Sequence, residues 1–237
     1  MISALFPNDV SVVEIAGDLD NASLLPEEAA ALGNVSEGRR REYTLSRMCA
    51  RRALAALGYP PSPILSGAKR EPLWPGGIVG AITHCKGFCA AAVARSEEFV
   101  TIGIDAEIHA ELPEGVLGTI GLEEELEHIR AMSISGIHWD RVLFSAKESI
   151  YKAWYPIAHK WLGFKDVELI FRPESHVFQA GLRVPGPIVN GRQIESFNGM
   201  YAIENGLVLT TVFLSSSLAA SSTPAIPNPL LRARNPK

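Results

Sequence analysis

Two short stretches restrict the fold more than any other part of the chain: residues 103–107, which read G-I-D-A-E, and residues 145–152, which read S-A-K-E-S-I-Y-K. The first follows a β-branched run typical of a strand, and residues two apart in a strand point to the same side. We therefore expect Asp105 and Glu107 to share one face. Neighbouring carboxylates raise each other's pKa unless a cation or basic group lies between them, so this strand predicts a cation site.

Mg²⁺ is the ion that such a site predicts. It prefers oxygen ligands and is usually held by one or two carboxylates together with the phosphates of a substrate. The D-x-E pattern alone is weak evidence, because alternating acids also occur on exposed strand faces. The second stretch is therefore needed to choose between a metal site and a solvated strand.

That second stretch lies in a predicted helix from residue 139 to about residue 155, and Pro156 is expected to end it. Its apolar residues include Leu143, Ile150 and Trp154. Glu148 and Lys152 are four residues apart and share a helix face. Such a pair can be an exposed ion pair that stabilises the helix by roughly 0.2–0.5 kcal/mol, or it can belong to one site with the two acids. The spacing alone leaves both interpretations open.

The composition is that of an ordinary globular protein, with 47% hydrophobic and 20% charged residues among 237. A net charge of -4 argues against a general attraction to nucleic acid or an anionic membrane. Six arginines nevertheless cluster between residues 39 and 52. Arg40, Arg47 and Arg51 line one side of the helix predicted there, which indicates either a solvated basic face or a clamp for phosphate oxygens.

Three cysteines, Cys49, Cys85 and Cys89, form no disulfide framework, which favours a reducing cytoplasm. His84, Cys85 and Cys89 could be read as a zinc site, but the sequence lacks a C-x-x-C pair and a fourth ligand nearby. The N-terminus lacks the pattern of a signal peptide, and no apolar run approaches the ~20 residues that span a bilayer. We expect a cytoplasmic protein.

The remaining pattern predicts helices and antiparallel strands. Helices are predicted at residues 26–32, ended by Gly33, at 37–57 behind the N-cap Ser36, and around 123–125, whose three acids indicate a solvated face. Strands are predicted at 10–15, 77–84, 88–94, 167–171, 176–184, 200–204 and 207–214, with turns at Lys86-Gly87, Asn190-Gly191 and Asn205-Gly206. Residues 60–77 are predicted to form a loop, and residues 215–237 a disordered tail.

Taken together, six motifs resemble those of the 4'-phosphopantetheinyl transferases of the larger, monomeric class. They are G-I-D-x-E at residues 103–107, K-E-x-x-x-K at 147–152, R-R-R-E-Y at 39–43, R-E-P-L-W-P at 70–75, T-H-C at 83–85 and W-L-G-F at 161–164. The likeness covers residues 36–171 and looks strongest with the actinobacterial and enterobactin-synthetase branch. Phe144 and Ser149 stand where many relatives carry Trp and Ala, and neither change affects a charged group.

The resemblance implies an α+β fold with two similar α/β halves related by a pseudo-twofold axis and an active site in the cleft between them. It divides the chain into residues 1–104, which contact the 3'-phosphate and adenine side of coenzyme A, residues 105–214, which hold the metal, and the tail 215–237. It also implies a monomer that binds neither nucleic acid nor a membrane.

The implied reaction transfers the 4'-phosphopantetheine group of coenzyme A to a serine of an apo acyl carrier or peptidyl carrier protein and releases 3',5'-ADP. Mg²⁺, or Mn²⁺ in its place, would be held by Asp105, Glu107 and Glu148. The implied catalytic residues are Glu148, Lys152 and His84. The implied contacts to coenzyme A are Arg39, Arg47, Lys69, Arg70, Thr83, His84, Asp105, Lys147 and Lys152.

Two other functions remain open at the level of sequence. A Mg²⁺-dependent hydrolase of a coenzyme A or nucleotide diphosphate could use the same carboxylates with water as the nucleophile. A nucleic-acid-binding module could use the arginines of residues 39–52, although it would leave the acidic and Lys-Glu motifs without a role. The sequence does not identify the carrier protein, its docking surface or its pathway.

Overall fold

The structure is a computed structural model that describes residues 1–17, 21–132 and 134–217. It contains both helices and antiparallel β-strands. The first part of the chain forms β1 (Ser11–Ala16), α1 (Pro26–Leu32), α2 (Glu37–Ala56), β2 (Leu65–Ser66), β3 (Pro72–Leu73), β4 (Ile78–Cys85) and β5 (Phe88–Arg95). The second part forms β6 (Phe99–Ile108), α3 (Val116–Ile120), α4 (Glu123–Ala131), α5 (Trp139–Ala158), β7 (Val167–Arg172), β8 (Val177–Leu182), β9 (Ile188–Val189), β10 (Arg192–Gln193), β11 (Ser196–Glu204) and β12 (Leu207–Ser215).

Two antiparallel sheets form the scaffold. The first has the strand order β1-β5-β4, and the second has the order β6-β12-β11-β8-β7. Helix α2 packs on the first sheet and helix α5 on the second. One hydrophobic core cluster joins the sheets, because it contains Ala81, Ala90 and Ala92 of the first together with Ile102 and Ile104 of the second.

Helix α2 begins behind its predicted N-cap and ends at Ala56, one residue before the predicted end. The Ser36 hydroxyl accepts a hydrogen bond from the Arg39 amide at 3.3 Å, which satisfies one of the free donors of the first turn. Gly58 follows the helix with a φ of 83°, a left-handed conformation that glycine adopts without a Cβ clash. Met48 and Leu54 lie in the core between the helix and the first sheet.

Strand β6 carries the two predicted acids on one face, as expected. Its alternate apolar residues belong to the core shared by the sheets, so Asp105 and Glu107 point to the opposite side, toward α5. Gly103 lies on that side too, and a Cβ added there would collide with the carbonyl oxygen of Ser149. Glycine is therefore required for the helix to approach the strand this closely.

Helix α5 does not end at Pro156, so that prediction is wrong. The helix continues to Ala158, and His159 closes it with a φ of 49° while its amide donates to the Tyr155 carbonyl at 2.9 Å. Pro156 lacks the amide that would bond to the Lys152 carbonyl four residues earlier. Because Pro156 lies in the last turn, the loss of this single bond does not interrupt the helix.

The turns predicted from Asn-Gly pairs are present. Asn205 and Gly206 have φ values of 53° and 73° and connect β11 to β12. Asn190 and Gly191 connect β9 to β10 with the same sign of φ. Strand β11 starts at Ser196 and is longer than the predicted strand from residue 200. The loop predicted at residues 60–77 contains the short strand pair β2 and β3.

The predicted tail begins too early. Ser215 is the last residue of β12, and the Ser216 amide donates to the Glu98 carbonyl at 2.8 Å. Residues 218–237, which make up the rest of that prediction, lie outside the described residues. The boundary predicted after residue 104 falls within β6, which pairs with β12 on both sides of that point. Among the residues that the structure describes, no helix is sufficiently long and apolar to cross a membrane.

Candidate active site

A cavity of about 790 Å³ opens where α2, the segment around β2 and β3, β4 and α5 meet. Its lining includes eight residues predicted for the site: Arg39, Arg47, Lys69, Arg70, Thr83, His84, Glu148 and Lys152. They come from both parts of the chain, and most of them are basic. The fold therefore brings together the residues of motifs that lie far apart in the sequence.

Asp105 links β6 to both neighbouring elements of the cavity. Its Oδ1 accepts a hydrogen bond from Lys152 Nζ of α5 at 2.8 Å and one from the Thr83 hydroxyl of β4 at 3.2 Å. The same Thr83 oxygen accepts from the Ala106 amide at 3.0 Å, which fixes the direction in which its proton points. Asp105 is buried, and its Oδ2 has no hydrogen-bond partner among the described residues.

Glu107 is held by Arg141, a residue that the sequence analysis did not select. Arg141 Nη1 lies 3.0 Å from Glu107 Oε2, while its other two nitrogens donate to the carbonyls of Ala110 and Glu111 at 3.0 Å each. Burial raises the pKa of Glu107, as does the charge of Asp105, and Arg141 opposes both effects. Helical spacing could have revealed this arginine, because it lies seven residues before Glu148 on the same helix face.

Glu148 is half-buried on α5 and lines the cavity. Burial raises the pKa of its carboxyl, and so does the charge of Asp105, while Lys152 lowers it. Its carboxylate makes no hydrogen bond or ion pair with the described residues. A carboxylate in this position is available to accept a proton from a ligand or to bind a cation.

The three carboxylates fit a cation that prefers oxygen ligands, although they are not gathered into a ready metal cage. No group of three His, Cys, Asp or Glu side chains arranged for a metal occurs within residues 1–17, 21–132 and 134–217. Lys152 and Arg141 instead neutralise Asp105 and Glu107. Asp105 nevertheless keeps one buried oxygen without a partner, and its charge raises the pKa of both glutamates. A divalent cation would relieve both conditions.

His84 lies at the end of β4, where Arg39 Nη1 approaches its Nε2 to 3.4 Å. Because a guanidinium can only donate, the imidazole nitrogen is the acceptor. The ring is exposed at the cavity mouth, but loss of water around it lowers its pKa, an effect to which Lys152 and Arg39 add and which Glu42 opposes. The pKa shift therefore favours a neutral imidazole, with a proton on Nδ1.

Arg47 lines the cavity and also holds the β2 segment beside it. Its Nε donates to the Ile64 carbonyl at 2.6 Å and its Nη2 to the Ser66 hydroxyl at 2.7 Å, while its guanidinium carbon lies 4.1 Å from the ring centroid of Tyr43. Burial lowers the pKa of this guanidinium. Arg47 is thus bonded mainly to the protein itself, and it fastens the β2 segment to α2.

Lys69 and Arg70 are exposed and lie between β2 and β3, facing the same cavity. The Lys69 amide donates to the Glu71 carboxylate at 2.8 Å, and Arg70 has a φ of 67°. The turn therefore presents two cations from an exposed position. Their long side chains can reach a polyanionic ligand without an interior partner competing for them.

Lys147 lies elsewhere, which corrects the prediction that it contacts coenzyme A. It is buried, and its Nζ donates to Glu125 Oε2 at 2.8 Å and to the carbonyls of Ile120, Phe164 and Val167 at 3.0, 2.6 and 3.1 Å. The prediction that Glu125 lies on a solvated face is wrong for the same reason. Successive residues of a helix point about 100° apart, so Lys147 does not line the large cavity that Glu148 and Lys152 share.

Cys85 lies near the two acids of β6. Burial, followed by the charges of Glu107 and Asp105, raises the pKa of its thiol to about 12. The sulfur therefore stays protonated at neutral pH, and a thiol is a poor metal ligand compared with a thiolate.

These features belong together chemically. A neutral histidine, several guanidinium and ammonium groups and a free carboxylate surround one cavity, beside two acids suited to a divalent cation. Basic groups of this kind bind phosphate oxygens, and a carboxylate with a raised pKa is suited to proton transfer. The arrangement is that of an enzyme acting on a phosphate-bearing substrate.

Comparison with known proteins identifies the family. Residues 27–94 match the model of the 4'-phosphopantetheinyl transferase N-terminal domain, and residues 101–195 match that of the 4'-phosphopantetheinyl transferase superfamily. The chain is 44% identical over 221 residues to 4'-phosphopantetheinyl transferase Svp of Streptomyces mobaraensis, with 91% of this chain and 90% of the relative covered. It is 41% identical over 210 residues to 4'-phosphopantetheinyl transferase PptT of Mycobacterium tuberculosis, with 87% and 92% covered.

A more distant relative is enterobactin synthase component D of Salmonella typhi, which is 33% identical over 126 residues and covers 50% of each chain. The two matches above extend over most of both chains, at identities well above those of chance alignments. The chain belongs to the 4'-phosphopantetheinyl transferase family.

Proposed function

We propose that this protein transfers the 4'-phosphopantetheine group of coenzyme A to a serine of apo acyl carrier or peptidyl carrier proteins, releasing 3',5'-ADP in a Mg²⁺-dependent reaction. The observation that supports this best is the junction at Asp105. There a strand of one sheet, a strand of the other and helix α5 meet at the cavity that collects the basic residues. The family named above makes coenzyme A the expected phosphate-bearing substrate.

The two-half architecture of the family is part of this proposal. Each half would consist of an antiparallel sheet with one 20-residue helix packed on it, α2 in residues 1–104 and α5 in residues 105–214. The cavity is lined by residues of both helices, as expected for a cleft between related halves. The first half would contact the 3'-phosphate and adenine of coenzyme A, and the second would hold the metal.

The basic residues divide naturally along such a ligand. Arg39, Lys69 and Arg70 would bind the 3'-phosphate side of the ligand. Arg47 would contribute mainly by holding the β2 segment in place beside it. Thr83, His84 and Lys152 lie closer to the carboxylates and would contact the diphosphate. Guanidinium and ammonium groups are suited to both tasks, since each can donate several hydrogen bonds to phosphate oxygens.

Asp105, Glu107 and Glu148 would hold Mg²⁺, or Mn²⁺ in its place. The bound ion would supply positive charge to the oxygens of the diphosphate. Lys152 and Arg141 form ion pairs with Asp105 and Glu107, so part of the negative charge of the proposed metal site is balanced by the protein itself.

In the transfer step the hydroxyl oxygen of the carrier serine attacks the β-phosphorus of coenzyme A. A serine–phosphorus bond forms, the bond from that phosphorus to the bridging oxygen breaks, and the electron pair leaves with 3',5'-ADP. Glu148 accepts the serine proton, a task for which its raised pKa suits it. The Lys152 ammonium stabilises the departing phosphate, and His84 donates from its protonated nitrogen to a phosphate oxygen.

Mass spectrometry of an intact carrier protein tests the proposal directly. A purified apo acyl carrier or peptidyl carrier protein is incubated with this protein, coenzyme A and Mg²⁺, with EDTA in the control. A phosphopantetheine adduct on the carrier that EDTA prevents is the expected result. Absence of the adduct on several different carriers contradicts the proposal, and release of 3',5'-ADP without any carrier indicates the hydrolase instead.

The contacts of the arginines in α2 weaken the case for a nucleic-acid-binding module. Arg51 forms an ion pair with the fully buried Glu28 and donates to the Ser23 carbonyl at 2.6 Å. Arg40 donates to the Gly33 carbonyl at 2.9 Å. Two arginines of the supposed basic face thus hold α1 against α2, and a monomer without nucleic acid remains our prediction.

A further inference from the structure

Lys147, the first lysine of the K-E-x-x-x-K motif, makes a set of contacts unlike those of a substrate-binding residue. Its ammonium group has three protons, and four acceptors surround it: the Glu125 carboxylate and the carbonyls of Ile120, Phe164 and Val167. Its side chain is 1% exposed. No proton is left for a phosphate oxygen, and the side chain is almost fully excluded from solvent.

The acceptors come from three separate elements. Ile120 ends α3, Glu125 lies in α4, and Phe164 and Val167 belong to the segment of residues 161–167 that enters β7. Glu125 extends the connection, since its Oε1 accepts from the Leu169 amide at 2.8 Å. One buried ammonium therefore fastens α3, α4 and this segment to α5.

The segment of residues 161–167, called the wall below, lies beside the proposed base. A second cavity of about 100 Å³ is lined by the wall together with Lys147, Glu148 and Tyr151. Glu148 and Tyr151 also line the large cavity, so the two spaces adjoin along this face of α5. Trp161 packs against Tyr151 with ring centroids 5.1 Å apart, yet it remains 70% exposed.

We propose that Lys147 is a positioning residue: it holds the wall at a fixed distance from Glu148 and does not bind the phosphates of the substrate. This inference rests on the proposed transferase function. The basic residues that would bind the phosphates line the large cavity with Glu148, and the wall borders Glu148 in the second cavity. The carrier serine and the pantetheine group would then approach Glu148 on the side of the wall. Loss of Lys147 would release the wall and leave the phosphate contacts intact.

The ligand that separates the two roles is 3'-phosphoadenosine 5'-diphosphate, which carries all three phosphates of coenzyme A but lacks the pantetheine group. The variants are Lys147→Met, the double variant Lys147→Met with Glu125→Gln, and the control Lys165→Met. The double variant removes the unpaired buried carboxylate that would otherwise destabilise the single variant. Lys165 is an exposed lysine of the same wall, so its replacement removes an equal charge without affecting the buried contacts.

We expect the double variant to bind 3'-phosphoadenosine 5'-diphosphate within about twofold of the unmodified protein while the rate of transfer to a carrier falls about 100-fold, the effect of misplacing reacting groups by about 1 Å. Lys165→Met should leave both unchanged. A loss of affinity for this ligand of about tenfold or more, equivalent to one lost charged contact, overturns the proposal in favour of phosphate binding.

Trp161 provides a readout that does not depend on activity. It is the exposed tryptophan of the described residues, so acrylamide quenching measured with and without Trp161→Phe isolates its signal. Quenching of Trp161 should increase in the double variant as the wall loosens, and unchanged quenching overturns the proposal. If the unmodified protein fails to modify any carrier, the transferase function fails, while nucleotide binding and quenching still decide the role of Lys147.

Discussion

Lys152 Nζ lies 2.8 Å from Asp105 Oδ1, so the last lysine of helix α5 meets the first acid of strand β6 across 47 positions of sequence. The Asp105 side chain is 6% exposed and that of Lys152 is 27% exposed, which places the pair at the border between core and cavity. Lys152 therefore lines the cavity while it is paired with Asp105. Thr83 donates a second hydrogen bond to the same carboxylate oxygen.

Removal of the Asp105 charge should eliminate the stabilisation of the folded protein by Mg²⁺. Because Mg²⁺ binds the folded site, it should stabilise the unmodified protein by about 2.7 kcal/mol at a concentration 100 times its dissociation constant. Asp105→Asn should lose this gain and should lose carrier modification as well. Thermal unfolding with Mg²⁺ and with EDTA measures the first effect, and Glu97→Gln, at an exposed acid, should respond like the unmodified protein.

Glu148→Gln should abolish transfer but stabilise the metal-free protein at neutral pH. Burial and the charge of Asp105 raise the pKa of Glu148, so the native carboxyl keeps its proton to a higher pH than the unfolded chain does. Stability is therefore lost as pH rises from the ordinary carboxyl pKa through the raised native value. Urea unfolding in EDTA should show that the free energy of unfolding of the variant, relative to that of the unmodified protein, increases as the pH rises through this window. A constant difference at every pH contradicts the assignment.

Thr83→Val should cost both stability and activity. The substitution keeps the shape of the side chain but leaves the buried Ala106 amide without an acceptor, which costs about 1–3 kcal/mol. It also removes one of the two donors that hold Asp105. Thr83→Ser restores the hydroxyl and should recover most of both losses in urea unfolding and transfer assays. Losses in Thr83→Ser as large as those in Thr83→Val contradict this assignment, because the hydroxyl is retained in the serine variant.

Two arginines of α2 should separate binding from stability. Arg39→Met should weaken coenzyme A binding about tenfold, one charged contact, with little change in unfolding, since Arg39 faces the cavity. Arg51→Met should do the reverse, because it leaves the fully buried Glu28 without its cation. Calorimetry with coenzyme A and urea unfolding compare the pair, and the exposed Arg52→Met is the control. A loss of coenzyme A binding in Arg51→Met contradicts this division.

Local signals predicted most of the secondary structure. Ser36 and Gly58 mark the ends of α2, and the Asn205-Gly206 pair marks the turn before β12. Each acts through neighbouring backbone groups, so a short window of sequence contains the cause. Pro156 was misleading because its effect depends on how many hydrogen bonds of the helix follow it, and its immediate neighbours do not show that number.

The sequence predicted those site residues that several motifs indicate together. It did not predict which charged residues are buried inside the protein. Asp105, Glu148 and Lys152 were selected from spacing, and the fold brings them together. Lys147 and Glu125 were misassigned, because a charged side chain in sequence looks the same whether its partner is a phosphate or a buried carboxylate 22 positions away. Only the packing of α3, α4 and the wall around them reveals which partner each has.

The contact at Gly103 sets a mechanical condition on the whole catalytic centre. Because the strand backbone lies so close to the helix backbone at Ser149, any side chain at residue 103 would push α5 away from β6. A roll by one residue would turn Glu148 about 100° out of the cavity. The absence of a side chain at Gly103 thus sets the distance between strand β6, which carries Asp105, and helix α5, which carries Glu148. Residues on the outer face of the helix can vary without changing that distance.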